Sequence, residues 1–415
     1  MKKLLAILLV CAMAFALVAA CADDTPPAPA DPTPAAEATP APADPTPEPD
    51  GNDDADVPDE QEDPPAADDA DLGDLRIALV GHGPASLQFD GSFNEGAWMG
   101  ILEFLDNNGL PHGTHANWFQ AHEANDEARI DVMIDAIETW GANILVLPGF
   151  HFAASVYTAA GLFPDVMFVA IDYTPSPGPT PSNVVSILYA EEQSGFLAGY
   201  ATVMEGYREL GFMGGVAVPA VVRFGHGFIE GAEFAAAELG LDAGEVTINY
   251  HYLGAFGPDP ATTTMANSWY AAGTEVIFVA AGLAWQSVAP AASDNNAWVI
   301  GVDTDQSLLP GVDTSMFLTS AMKSLAVSVY DMLADFTDGT FRGGSDLLFD
   351  ATNNGVALPM ANSHFQNFTQ AQYEAIFAQL AGGAILVSTT LPGEGESPDP
   401  NGLIDFDLVT VNFIG

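Results

Sequence analysis

The residues with chemical potential in this chain stand where short apolar runs end. The run Arg76 to Val80 passes into Gly81-His82 and then a loop that enters a helical pattern through Ser92-Phe93-Asn94. Val166 to Ile171 ends on Asp172, and Trp298 to Val302 ends on Asp303-Thr304-Asp305. Gly211 to Gly214 runs into a segment carrying Arg223, Phe224 and His226, and Val276 to Ala280 runs into Ala281-Gly282. At such positions an aromatic face stacks on a flat solute. An amide both donates and accepts, a carboxylate only accepts, and a glycine lets backbone approach closely. Each residue also has an ordinary structural use. Phe93 and Phe224 are either core plugs or stacking faces, and Ser92, Asp172 and Asp303 are either helix caps or ligand contacts. Gly282 serves turn geometry or close approach, while His82 and His226 are structural or hydrogen-bonding.

Charge narrows the choice. The chain holds 8 Lys and Arg against 56 Asp and Glu, a formal net charge of −48. Beyond Lys3 there is a single lysine, Lys323, with five arginines at 76, 129, 208, 223 and 342. Lys323 follows the β-rich Phe317 to Met322 and begins a helical pattern, another strand-to-helix junction. An ammonium there is either a donor to a ligand or half of a salt bridge. So acidic a chain has no basic patch for nucleic acid or an anionic membrane surface. Its acidity fits a salt-loving source or an acidic secreted protein equally well. No His-x-x-x-His pair, acid-rich cluster at the strand ends, G-x-S-x-G or Walker loop occurs, so no metal, cofactor or catalytic group is expected.

The elements that must position these residues read as strands alternating with helices, the pattern of a parallel α/β fold. Strands are predicted near Arg76 to Val80, Ile144 to Leu147, Val166 to Ile171, Val184 to Leu188, Gly211 to Gly214, Val246 to Tyr250, Val276 to Ala280 and Trp298 to Val302. From Asn125 to Trp140, Ile130, Met133, Ile134 and Ile137 fall on one helical face. A globular part of this length is expected as two lobes rather than one. Ligands in open parallel sheets sit beyond the carboxyl ends of the strands, so two facing lobes make a cleft. The sequence shows no internal repeat and, after Ala20, no apolar run long enough to cross a bilayer.

The first twenty residues combine Lys2-Lys3, an apolar run and small residues before Cys21, a signal peptide with lipobox spacing. The mature protein is expected to begin at a lipidated Cys21 on the outer face of a cytoplasmic membrane. Residues 21–74 are rich in Pro, Ala, Asp and Glu and read as a disordered acidic tether, extending at about 3.1 Å per residue where polyproline-like. The remaining cysteine is Cys11, inside the signal run, so the folded part has no thiol chemistry. A solute-binding domain is expected over 75–415.

At the strand-end residues the chain resembles the basic membrane protein family, the PnrA-like solute-binding lipoproteins of ABC transporters. Asp90-Gly91-Ser92-Phe93-Asn94-Glu95-Gly96-Ala97-Trp98-Met99-Gly100 matches the family's Asp-x-Ser-Phe-Asn-x-x-Ala-Trp-x-Gly, with further matches at Glu191 to Tyr200, Arg223-Phe224, Val299 to Gln306 and Thr319 to Lys323. The likeness runs from Leu75 to about Thr390 in the family's order. It implies a type I periplasmic-binding-protein fold: two doubly wound parallel-sheet lobes, at about 75–189 with 304–340 and about 190–303 with 341–415, joined by a multi-crossover hinge. It also implies a purine nucleoside or similar flat polar solute as ligand and an ABC permease as partner. On that resemblance Phe93 and Phe224 sandwich the base, Asn94 and Asp172 read its edge, Asp303 and Lys323 hold the ribose, and Gly282 allows close approach. Relatives usually carry Thr-Asp where this chain has Gly81-His82, so His82 alters that contact. A surface sensor or adhesin on the same fold, and a nucleoside hydrolase, are the competing functions.

Overall fold

The computed structural model describes residues 72–415. The signal segment, Cys21 and all but the last three residues of the expected tether lie outside the described residues. Those three, Leu72–Asp74, form a 3-10 turn rather than extended chain.

The first half of the fold runs β1 (Ile77–Gly81), α1 (Phe93–Asn107), α2 (His112–His115), β2 (Ala116–Gln120), α3 (Asp126–Ile134), β3 (Ile144–Pro148), α4 (Ala153–Leu162), β4 (Met167–Ile171) and β5 (Val184–Tyr189). The second half repeats the plan as α5 (Glu191–Glu205), β6 (Glu209–Gly214), α6 (Pro219–Leu239), β7 (Val246–Tyr252), α7 (Pro260–Ala272), β8 (Val276–Ala280), α8 (Trp285–Asn295), β9 (Trp298–Asp303) and β10 (Phe317–Lys323). The chain then closes with α9 (Leu325–Thr337), β11 (Ser345–Phe349), β12 (Val356–Ala357), α10 (Gln370–Ala381) and β13 (Val409–Ile414).

Two sheets result. Their orders are β11-β5-β4-β3-β1-β2 and β12-β10-β9-β8-β6-β7-β13. The core order 2-1-3-4-5 of the first lobe recurs as 7-6-8-9-10 in the second, so the fold contains a repeat invisible in the sequence. Strands β1, β3 and β8 are buried throughout, as expected of parallel strands covered by helices on both faces. All eight predicted strands are present, with ends shifted by at most two residues or extended. The predicted helix at 125–140 is α3, capped by the Asn125 side chain on the Ala128 amide, followed by a π-helical turn over Asp135–Thr139.

The lobe boundaries differ from the expected ones. Residues 304–323 stay in the second lobe, because β10 pairs with β9. Residues 345–349 belong to the first lobe, because β11 pairs with β5. Each sheet would otherwise leave an apolar strand with an unpaired edge. The chain therefore crosses between lobes three times, after β5, after β10 and after β11. The helix after each of the first two crossings packs in the lobe just entered: α5 against α6 on the second sheet, and α9 against α1 on the first.

Glycines allow the α5–α6 contact. A Cβ on Gly195, Gly199, Gly227 or Gly231 would lie 1.9–2.2 Å from a carbonyl oxygen of the facing helix. Both helices thus use a small-x-x-x-small spacing to bring backbone against backbone. Alanine normally improves a helix over glycine by about 1 kcal/mol. Here Gly227→Ala is expected to destabilise by about 1–3 kcal/mol through overpacking, read as a lower urea midpoint with unchanged slope.

Candidate functional site

The cleft is built around Lys323. Its ammonium, at the last residue of β10, is 2.5 Å from Asp172 Oδ2, 3.2 Å from Glu191 Oε1 and 3.9 Å from Asp303 Oδ1. It also lies over three rings, 5.2 Å from the centroid of Phe93, 5.3 Å from that of Phe224 and 5.5 Å from that of Tyr189. Burial opposes the charge, but the three carboxylates outweigh burial and hold the lysine protonated well above its ordinary range. Both alternatives for Lys323 thus meet in one place: it is ion-paired, and it faces the cleft.

The fold delivers these groups in equivalent pairs. Asp172 follows β4 and Asp303 ends β9, the matching strands of the two lobes, and both have left-handed backbone, with φ of 71° and 68°. Asparagine and aspartate adopt that region more readily than other non-glycine residues. Phe93 opens α1 and Phe224 sits in the second turn of α6, the matching helices. Neither aspartate caps a helix. Capping of α1 falls instead to Asp90, whose carboxylate accepts from the amides of Ser92, Asn94 and Glu95. The Ser92 hydroxyl is then free to donate to Asp303 Oδ2 at 2.6 Å, tying the lobes together. Gln306 Nε2 adds a second tie, donating to the Gly91 carbonyl at 2.9 Å.

The eight residues expected to contact ligand on the family resemblance, His82, Phe93, Asn94, Asp172, Phe224, Gly282, Asp303 and Lys323, all line one cavity of about 730 Å³. That is within the usual size of a small-molecule site. Phe93 is half-buried and faces the space, while Phe224 is also a core member, edge-on to Phe278. Asn94 donates through Nδ2 to the Leu87 carbonyl. Gly282 has φ +50° and sits near the Phe256 carbonyl. His226 is not at the cavity: it is fully buried on α6 against the Thr390 carbonyl.

Sequence reasoning gave no role to Glu191, His151 or Tyr173. A glutamate at a helix start reads as dipole compensation, and lone histidines and tyrosines carry no spacing signal. Glu191 bridges Lys323 and Arg223, with the Arg223 Nη1 contact at 3.4 Å. His151 stacks on His82 with centroids 4.0 Å apart and planes 9° apart, and Phe150 stacks on His151 in turn. Burial, then the neighbouring His151 and the Arg129 guanidinium, lower the His82 pKa to about 4, and burial with Arg129 lowers His151 as well. Several buried polar atoms in the cavity wall have no protein partner: His82 Nδ1, Ser86 Oγ, His151 Nδ1, Asp172 Oδ1, Tyr173 OH and Arg223 Nε. Unpaired buried groups cost about 1–3 kcal/mol each, so the wall is poised for a polar occupant.

The buried acids make stability depend on pH. Burial raises Glu192 to about 7, against its own backbone hydrogen bond and the Arg223 guanidinium. Such a group binds protons more readily folded than unfolded, so the stability it contributes is complete below its ordinary 4.5 and is lost as pH rises through about 7. His82 and His226, lowered to about 4, act in the opposite sense only below their ordinary 6.5. From pH 6.5 through about 7 the unliganded protein is expected to lose stability as pH rises, and Glu192→Gln should flatten the slope. Urea midpoints across that window check this, and a rising curve would contradict it.

Comparison with known proteins gives the cleft its context. The family model for ABC transporter substrate-binding protein PnrA-like matches residues 76–380. The "ABC transporter nucleoside-binding protein BmpA" of Lactococcus lactis subsp. cremoris is 30% identical over 305 residues, covering 70% of this chain and 83% of its own. The "CD4+ T-cell-stimulating antigen" of Listeria monocytogenes is 26% identical, covering 72% and 84%. Among solved structures, a solute-binding protein of an ABC transporter system from Conexibacter woesei superposes with a TM-score of 0.60 at 22% identity, over 76% of this chain and 99% of that one. One from Aeropyrum pernix K1 gives 0.58, also at 22% identity, over 79% and 83%. These structures share the two-lobed α/β fold, and the match across 76–380 assigns the family: the chain belongs to the PnrA-like substrate-binding proteins of ABC transporters.

Proposed function

We propose that the cleft binds an uncharged purine nucleoside and that the protein presents it to an ABC permease from a lipid anchor at Cys21. One observation carries the reading. An aromatic face and a strand-end carboxylate from each lobe converge on the same ammonium, with Phe93 and Asp172 on one side and Phe224 and Asp303 on the other. A flat base fits between the two rings, Asn94 and Asp172 meet its edge, and Asp303 accepts from ribose hydroxyls. Lys323 donates to the sugar, Gly282 lets the backbone close in, and His82 meets the far edge of the base. The nucleoside-binding relative from Lactococcus lactis supports the ligand class.

Electrostatics argue against a nucleotide. Both cations in the wall are already engaged: Lys323 by Asp172 and Glu191, and Arg223 by Glu191. A phosphate entering this cleft would meet carboxylates and no spare positive charge. Inosine, guanosine or adenosine should therefore raise the melting temperature, and the matching monophosphates should not. Equal stabilisation by nucleotide would overturn the charge argument. Phe93→Ala should weaken nucleoside binding by about tenfold through loss of stacking, measured by calorimetry.

The anchor is tested separately. In a bacterial host, Cys21→Ser should move the protein from the detergent phase to the aqueous phase on Triton X-114 partition. Unchanged partition would remove Cys21 as the attachment point.

A further inference from the structure

The cavity wall contains a stacked pair whose second member, His151, and whose proton chemistry the proposed function leaves unused. His82, just beyond β1, and His151, just beyond β3, stack with ring centroids 4.0 Å apart and planes 9° apart, and Phe150 covers the far face of His151 at 4.0 Å. Arg129 fixes the column from behind by donating from Nε to the His82 carbonyl at 2.9 Å. Both imidazoles line the cavity, and the Nδ1 of each is buried without a hydrogen-bond partner.

The charged groups of the cleft have fixed polarity: carboxylates accept, and the ammonium and guanidinium donate. A neutral imidazole differs, because it carries one N–H and one lone pair and exchanges them by changing tautomer. Burial, reinforced by nearby Arg129, disfavours the imidazolium, so both rings keep a lone pair at neutral pH. Stacking holds the planes still, so polarity reverses with no movement of heavy atoms.

We infer that His82 and His151 form a tautomer-adaptive reading pair that lets one cleft accept both 6-oxo and 6-amino purine nucleosides. The proposal rests on the nucleoside reading of the cleft. A 6-oxo purine presents an acceptor beside a donor at positions 6 and 1, and a 6-amino purine presents the reverse. A carboxylate or a cation would match one pattern and oppose the other. The histidine pair meets each by moving a proton between ring nitrogens.

The test uses the full chain with inosine and adenosine as probes. Calorimetry should give dissociation constants within about tenfold of each other, since one reversed hydrogen bond alone would cost about that factor. In ¹⁵N-histidine-labelled protein, the His82 or His151 nitrogen carrying hydrogen should differ between the two complexes. The double variant His82→Phe/His151→Phe keeps the stacked rings and removes the nitrogens. It should retain its apo melting temperature and lose about tenfold or more in affinity for both nucleosides. The same tautomers in both complexes, a parent that rejects one nucleoside, or full affinity in a folded double variant would each overturn the pair and leave the nucleoside cleft standing. A parent that binds neither nucleoside would overturn both.

Discussion

The ammonium of Lys323 is the constraint from which the site follows. A buried cation is tolerated only when paired and hydrogen-bonded, and this one draws its partners from three separate stretches of chain. Asp172 comes from the end of a first-lobe strand, Asp303 from the matching strand of the second lobe, and Glu191 from the helix that begins just after the first crossing. Lys323 itself stands at the second crossing. One charge therefore pins both crossings and both strand ends to a single point, and the two aromatic walls face that point because their helices start where the strands stop. In a chain with so few cations, each pairing is close to unique.

Much of this was legible before the fold was known. Parallel strands buried on both faces produce unbroken apolar runs, so β1, β3, β4 and β8 stand out, and with them the residues at their ends. That is why all eight chosen residues line one cavity: the rule that ligands gather beyond carboxyl ends acts through strand position alone. The scarcity of cations marked Lys323 for the same reason, since a rare residue at a strand end is informative and a common one is not.

What escaped the sequence depends on non-local pairing. Whether β10 completes the first sheet or the second, and which sheet takes β11, is decided by which edge lacks a partner, and no local pattern records it. The repeat of the lobes is hidden because only backbone order recurs, while side chains at equivalent positions serve different neighbours. Glu191 hides behind the ordinary preference for acids at helix starts, and the His82–His151 column arises from two loops separated by three helices and two strands. Ser92 shows the limit of a local rule. Its position suggests a cap, but Asp90 takes that task and leaves the hydroxyl to bridge the lobes.

The three crossings also govern the order in which the molecule comes into being. The first sheet lacks its outer strand until Ser345–Phe349 is available, and the core over that sheet lacks Leu325, Val329 and Met332 until α9 exists. A chain emerging from its amino end, whether from a ribosome or through a membrane channel, therefore cannot finish one lobe and then begin the other. The first lobe closes only once β11 has emerged, and the second stays open until β13 pairs with β7. Long-range pairing of this kind slows folding, and for a polypeptide that must pass through a narrow pore before it folds, that delay keeps it threadable.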